Sequence, residues 1–135
     1  KLAPITKTAN LGSQLVIFAN AYDCEALCVG RVLSRQLKGL MQDTVVCCEN
    51  MRSITRATPS VVLPILTSQC LSSVFFANGL QALVQIQSLV IPIQADTSFV
   101  YPSATFYASL GEGSVLPGGA LTAPISEIVD AYKSL

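Results

Sequence analysis

Residues 14–40 read QLVIFANAYDCEALCVGRVLSRQLKGL, and a change of period inside this stretch decides the fold. Its first part is a short apolar run, which predicts a buried strand, and it closes on Asp23, whose carboxylate can accept the first free N–H groups of a helix. After Asp23 the apolar residues Ala26, Val29, Leu33, Leu37 and Leu40 recur at steps of three and four, with Glu25, Arg31, Arg35 and Lys38 between them. That spacing lays one apolar stripe along a helix that ends near Gly39 or Met41. A strand that feeds directly into a helix returns to its sheet by a crossover, so the opening unit predicts parallel pairing.

Residues 1–13, with Pro4, Gly12 and Ser13, read as a polar lead-in, and 14–135 as one α/β domain. The pattern repeats downstream. TVVCC (44–48) predicts a second strand, ENMRSITRATP (49–59) a loop, and SVVLPIL (60–66) a third strand, although Pro64 conflicts with a central position in a sheet. LSSVFFANGLQALV (71–84) predicts a helix weakened in the middle by Asn78 and Gly79. SLVIPIQAD (88–96) predicts a fourth strand closing on an aspartate. The stretch 97–119 predicts a loop, a short helix and a small strand at 114–116. Beyond Pro124, Ile125, Ile128, Val129, Tyr132 and Leu135 step by three and four and predict a closing helix. Alternation of this kind predicts a three-layer, doubly wound parallel sheet of flavodoxin-like order 2-1-3-4-5. In such sheets ligands meet the loops beyond the strand carboxyl ends, here 20–25, 49–59, 67–74 and 94–103.

Composition narrows the function. Apolar residues make up 51% and charged residues 12% of the 135, which fits a sheet covered on both faces. Eight basic residues balance eight acidic ones without clustering, so no electrostatic footprint for nucleic acid exists. No run is long and uninterrupted enough for a membrane span, and the N-terminus lacks the apolar core of a signal peptide. The first residue is Lys1, which suggests a processed or excised chain. Cys24, Cys28, Cys47, Cys48 and Cys70 lie mostly in apolar runs and read as buried, reduced thiols of a cytoplasmic protein. With no histidine and no usual ligand spacing, a zinc site is not expected, and the metal reading is none.

The first strand-to-helix turn, ANAYDCEA, carries neither GxGxxG nor a glycine-lysine phosphate loop. A receiver domain is excluded because the third strand ends PILTSQC, with no phosphoacceptor aspartate. Ser68 and Ser73 have no histidine to activate them as nucleophiles. The acidic candidates at strand ends are Asp23, Glu25, Glu49 and Asp96; the alternative role for Asp23 is a helix cap, and for the others solvated loops. Phe75, Phe76, Phe99, Tyr101, Phe106 and Tyr107 either form an interaction surface or complete the core.

The succession FANAYD, EALCVGRVLSRQLKG, TVVCCENMRSITRATP, SVVLPILTS, LSSVFFANGLQAL and LVIPIQ resembles a Toll/interleukin receptor (TIR) domain over about residues 14–135. The resemblance implies a signalling domain of the kind used in innate immunity, acting in the cytoplasm by homotypic assembly with itself or with other TIR-like domains. It implies an interaction surface at Met51, Arg52, Ile54 and Arg56 in the loop after the second strand, and at Phe99 and Tyr101. It also implies a cleft formed by Ala19, Asn20, Asp23, Ser68, Phe75 and Gly79, with NAD as a possible ligand or substrate. Two departures qualify it. The loop after the second strand is short, with ten residues between Glu49 and Ser60. The glutamate of the family's NAD-cleaving members is replaced, since counting from Ser73 lands on Gly79. Asn78 and Gln81 are neutral amides and cannot stabilise positive charge developing on a ribose. The expected function is therefore assembly without NAD cleavage. The alternative is an NAD hydrolase or nucleotide-binding enzyme using Asp23, Glu49 and Ser73.

Overall fold

The computed structural model describes residues 15–41, 45–48 and 59–135, without the side chains of 40, 41, 45–48 and 118. Strand β1 is Leu15–Phe18, helix α1 Cys24–Met41, β2 Val45–Cys48 and β3 Val61–Leu66. Helix α2 is Val74–Gln85, β4 Leu89–Val90, β5 Ile93–Gln94, α3 Ala104–Gly111 and α4 Ile125–Lys133. The sheet is parallel throughout, in the order β2-β1-β3-β4, with β5 also on β3. Ile17 stands between Cys47 on one side and Leu63 on the other.

Strand alternation divides β1 between two cores. Leu15, Ile17 and Ala19 join Leu63 and Ile65 under α1, against Ala26, Val29, Leu33 and Leu37. Val16 and Phe18 join Val62 and Leu66 on the opposite face, where α2, α3 and α4 contribute Phe76, Leu80, Leu83, Leu110, Ile128 and Tyr132. Both faces are covered, which accounts for strands that are apolar at nearly every position.

Pro64 sits in the middle of β3, and hydrogen-bond parity explains how. Leu89 N–H donates to Ser60 O and Ile91 N–H to Val62 O, each at 2.9 Å, so even-numbered residues of β3 turn their backbone groups toward the fourth strand position. Pro64 brings no donor to that side. The ladder breaks opposite it, between Val90 and Ile93, where the second proline, Pro92, stands. The single fourth strand expected from SLVIPIQAD is thus two short pieces, β4 and β5.

Two helices end in the same six-residue hydrogen-bond pattern. In α3, Ser114 N–H donates to Ser109 O and Gly113 N–H to Leu110 O, with Gly113 at φ +80°. In α2, Ser88 N–H reaches Leu83 O and Gln87 N–H reaches Val84 O, with Gln87 at φ +62°. Both are Schellman endings, which need a left-handed residue. The α3 ending corrects the strand expected at 114–116: residues 112–114 terminate the helix, and Leu116 drops into the core. Among the described residues no strand follows Gln94, so the fifth position of the expected order is not filled by them.

Gly79 faces the ring of Phe18. A Cβ placed there would lie 2.2 Å from Phe18 Cζ, well inside contact distance, so the close approach of α2 to β1 depends on a residue without one. Phe18 itself is stacked near Phe75 at 5.9 Å and Phe76 at 5.5 Å between ring centroids. Tyr132 is fully buried and donates its hydroxyl to Leu71 O at 2.8 Å. Burial holds its phenol well above the ordinary tyrosine range.

Cys24 and Cys28 correct the expectation that the cysteines are buried, while the side chains of Cys47 and Cys48 lie outside those described. Cys70 is buried and its thiol is pushed up to about 11, chiefly by desolvation. Cys24 and Cys28 are exposed, because they fall on the α1 face that also carries Arg31 and Arg35, away from the apolar stripe. Among the described residues no helix is long and apolar enough to cross a membrane, and no group of three or more metal-ligating side chains occurs.

Candidate functional site

The chain turns outward in opposite directions from β1 and β3: β1 leads to β2 on one side and β3 to β4 on the other. Their carboxyl ends therefore leave a crevice, as expected at such a switch of direction. The crevice is occupied by a cleft of about 430 Å³, lined from the β1 side by Asn20, Tyr22, Asp23, Cys24 and Glu25 and from the β3 side by Thr67, Ser68, Gln69, Ser72 and Ser73.

Local hydrogen bonding fixes most of these groups. Asn20 is buried, and its Oδ1 accepts from Tyr22 N–H at 3.0 Å, shaping the turn into α1. Asp23 Oδ1 accepts from Glu25 N–H at 3.0 Å and Ala26 N–H at 3.2 Å, the N-terminal cap of α1. Its other oxygen, Oδ2, accepts from the hydroxyl of the buried Thr67 at 2.5 Å. One carboxylate thus caps a helix and ties the end of β1 to the end of β3. Ser73 Oγ accepts from Phe76 N–H at 3.3 Å and caps α2. Tyr22, 85% exposed, stands at the rim with its ring edge-on to Phe75.

A second carboxylate fastens the neighbouring loop. Asp96, beyond β5, accepts from Ser98 Oγ–H at 2.6 Å, Ser98 N–H at 2.8 Å and Ser68 N–H at 3.2 Å. These donors, the Ser98 hydroxyl foremost, draw its carboxyl down to about 2. The ends of β1, β3 and β5 are consequently linked through Asp23–Thr67 and Ser68–Asp96.

Of the residues nominated from sequence, Asn20, Asp23, Ser68 and Ser73 line this cleft. Ala19 lies in the core under α1, Phe75 packs against Phe18 and Tyr22, and Gly79 is buried beneath Phe18; none of the three lines it. Of the nominated interaction residues, Phe99 is 5% exposed and belongs to the core, because Asp96 turns the loop and accepts Phe99 N–H, while Tyr101 beside it is 47% exposed. Glu49, Met51, Arg52, Ile54 and Arg56 lie outside the described residues. Thr67, Tyr22, Cys24, Gln69 and Ser72 fall within the loops 20–25 and 67–74 nominated from sequence but were not named individually, since Thr67 continues an apolar strand and no spacing rule marks a rim. The aspartate closing β1 and the polar TSQ after β3 were the available signals.

Chemically the cleft offers hydroxyls, amides and two carboxylates, with no basic side chain among its described lining residues. It suits an uncharged or cationic ligand rich in hydrogen-bonding groups. Fold and cleft define a class, that of parallel α/β domains with a polar crevice at the strand carboxyl ends. No model of a protein family, no curated protein and no solved structure matches the chain.

Proposed function

We propose that this chain is a TIR-like assembly domain that works by homotypic contact, with copies of itself or with related domains, and does not cleave NAD. The observation that carries the reading is the fit between fragments and elements. FANAYD ends β1, EALCVGRVLSRQLKG runs along α1, SVVLPILTS spans β3, LSSVFFANGLQAL opens α2, and LVIPIQ supplies β4 and β5. In this reading the described strands are the first four positions of the flavodoxin-like order 2-1-3-4-5. The compartment that fits is the cytoplasm, where exposed thiols such as Cys24 and Cys28 stay reduced.

Loss of cleavage is supported by the packing of Gly79. The side where a glutamate would project is filled by the Phe18 ring, so a carboxylate there would be forced into the apolar core rather than the cleft. Asp23 and Ser73, the remaining candidates within the described residues, already serve as helix caps. Assembly is supported by zero net charge, which removes long-range repulsion between copies, and by the exposed Val100 and Tyr101 beyond β5.

The second reading, a nucleotide-binding enzyme, draws on the cleft's place at the strand carboxyl ends, while Asp23 and Glu25 on its wall and the lack of a basic side chain among its described lining residues oppose the phosphates such a ligand carries. One experiment separates the two. The purified chain is incubated with NAD while light scattering and nicotinamide release are followed in the same sample. Concentration-dependent particle growth without nicotinamide supports assembly; release of nicotinamide, or a strictly monomeric profile at micromolar concentration, refutes it.

A further inference from the structure

A second concavity lies across the Cys70–Ser72 turn from the cleft and shares Ser68 and Ser72 with it. It measures about 330 Å³ and carries no charged side chain. Leu71, Val100, Pro102, Phe106 and the Tyr101 ring provide apolar surface, and Ser68, Ser72, Ser98, Ser103 and Tyr101 bring hydroxyls.

Three of these hydroxyls, on Ser72, Ser98 and Ser103, have one bond committed and a complementary capacity left. Ser103 Oγ accepts from Phe106 N–H at 3.2 Å and keeps its hydrogen to donate. Ser72 Oγ–H donates to Gln69 O at 3.1 Å, and Ser98 Oγ–H to Asp96 at 2.6 Å; both oxygens keep lone pairs. In the groove these three serines therefore present one donor and two acceptors, beside the hydroxyls of Ser68 and Tyr101. Its parts are held before any ligand arrives. Asp96 joins Ser68 to Ser98, Ser103 caps α3, and the Tyr101 ring is braced edge-on by buried Phe99 at 5.0 Å. A preformed site loses less freedom on binding than one that must be assembled.

From these features we infer that the groove between the Cys70–Ser72 turn and the 98–106 segment is a binding site for an uncharged sugar ring. A sugar matches it on three counts: its C–H face suits the apolar and aromatic lining of Leu71, Tyr101 and Phe106, its hydroxyls both donate and accept, and it brings no charge that the groove would leave unpaired. An anionic ligand would meet no cation among the lining residues and would find Asp96 nearby.

The test is an amide NMR titration of the intact chain, in its monomeric fraction, with D-ribose, D-glucose and cyclohexanol, repeated for Tyr101→Ala and Tyr101→Phe. The expected result is a set of shifts confined to residues 68–72 and 98–106 that saturate with at least one of the two sugars. Saturation should fall in the millimolar range usual for a ligand of about ten heavy atoms. Tyr101→Ala should weaken binding about tenfold and Tyr101→Phe by no more than about twofold, since the ring face is kept. Saturation with either sugar supports the inference. The inference is overturned if neither sugar saturates, if cyclohexanol binds as tightly as the sugars, or if Tyr101→Ala leaves the affinity unchanged.

Discussion

Replacing Gly79 with alanine adds one methyl group, and the structure says where it goes. The new Cβ would stand 2.2 Å from Phe18 Cζ, 2.8 Å from Cε1 and 3.0 Å from Cε2. An ordinary carbon–carbon contact is about 3.5 Å or more, so the ring or the helix must retreat by roughly 1 Å. The ring has little room, being fully buried with Phe75 and Phe76 stacked nearby. Overpacking of this kind costs about 1–3 kcal/mol, and we expect the upper part of that range, about 2–3 kcal/mol. Alanine's better helix propensity offsets about 1 kcal/mol. Gly79→Ala should therefore destabilise the domain by about 1–2 kcal/mol, where an exposed helix position would have gained. The assay is urea unfolding followed by far-UV circular dichroism, since the chain has no tryptophan. The cycle is completed with Phe18→Leu, which removes the ring carbons in question. On that background Gly79→Ala should be neutral or stabilising, giving a coupling of about 2 kcal/mol. If the two changes add within about 0.5 kcal/mol, the contact does not govern the position and the argument against a carboxylate there loses its basis.

Asp23→Ala should cost about 2 kcal/mol, from loss of the α1 cap and of the Thr67 bond, and Thr67→Val about 1 kcal/mol; in the double variant the second loss should nearly vanish, as read by denaturant melts. Cys70 titrates near 11 when folded, above its ordinary value of 9.0, and Tyr132 is likewise raised, so the stability these neutral groups confer is complete below about pH 9 and declines as pH rises toward and beyond 11. Absorbance at alkaline pH should show Tyr132 ionising only with unfolding, and thiol reagents should modify Cys24 and Cys28 long before Cys70. Asp96 behaves in the opposite sense: its lowered value makes its contribution present above about pH 4 and lost as pH falls through 2, and Asp96→Asn should flatten the acid limb of a stability profile. Gln87→Gly, at φ +62°, should stabilise by about 0.5–1 kcal/mol in the same melts, since a side chain is strained in the left-handed region.

The elements that could be read from sequence are those whose own residues carry the signal. The opening strand and helix were legible because a continuous apolar run gives way at Asp23 to apolar steps of three and four, and the observed α1, Cys24–Met41, ends where those steps end. The division of the fourth strand was not legible, because it depends on Pro64 in a different strand and on which way its backbone faces. The segment 114–116 looked like a strand through Val115 and Leu116; what decides it is the left-handed Gly113 that closes α3. Site reading divided in the same way. Asp23 was found as an acidic residue at a strand end, Ser68 and Ser73 as serines weighed as nucleophiles, and Asn20 through the TIR resemblance. Thr67 required knowing that β1 and β3 are neighbours, and the burial of Gly79 required knowing that Phe18 points at α2.

The paired prolines at 64 and 92 also bear on how such an apolar, uncharged domain stays manageable. Among the described residues, the strand position beyond β3 holds two-residue pieces separated by Ile91 and Pro92, the latter with no N–H, so that rim of the sheet is a poor template for adding a further strand. Open-ended cross-β growth is blocked at that rim by backbone chemistry. A partner meeting that rim would be held by side chains and loops, which can let go again.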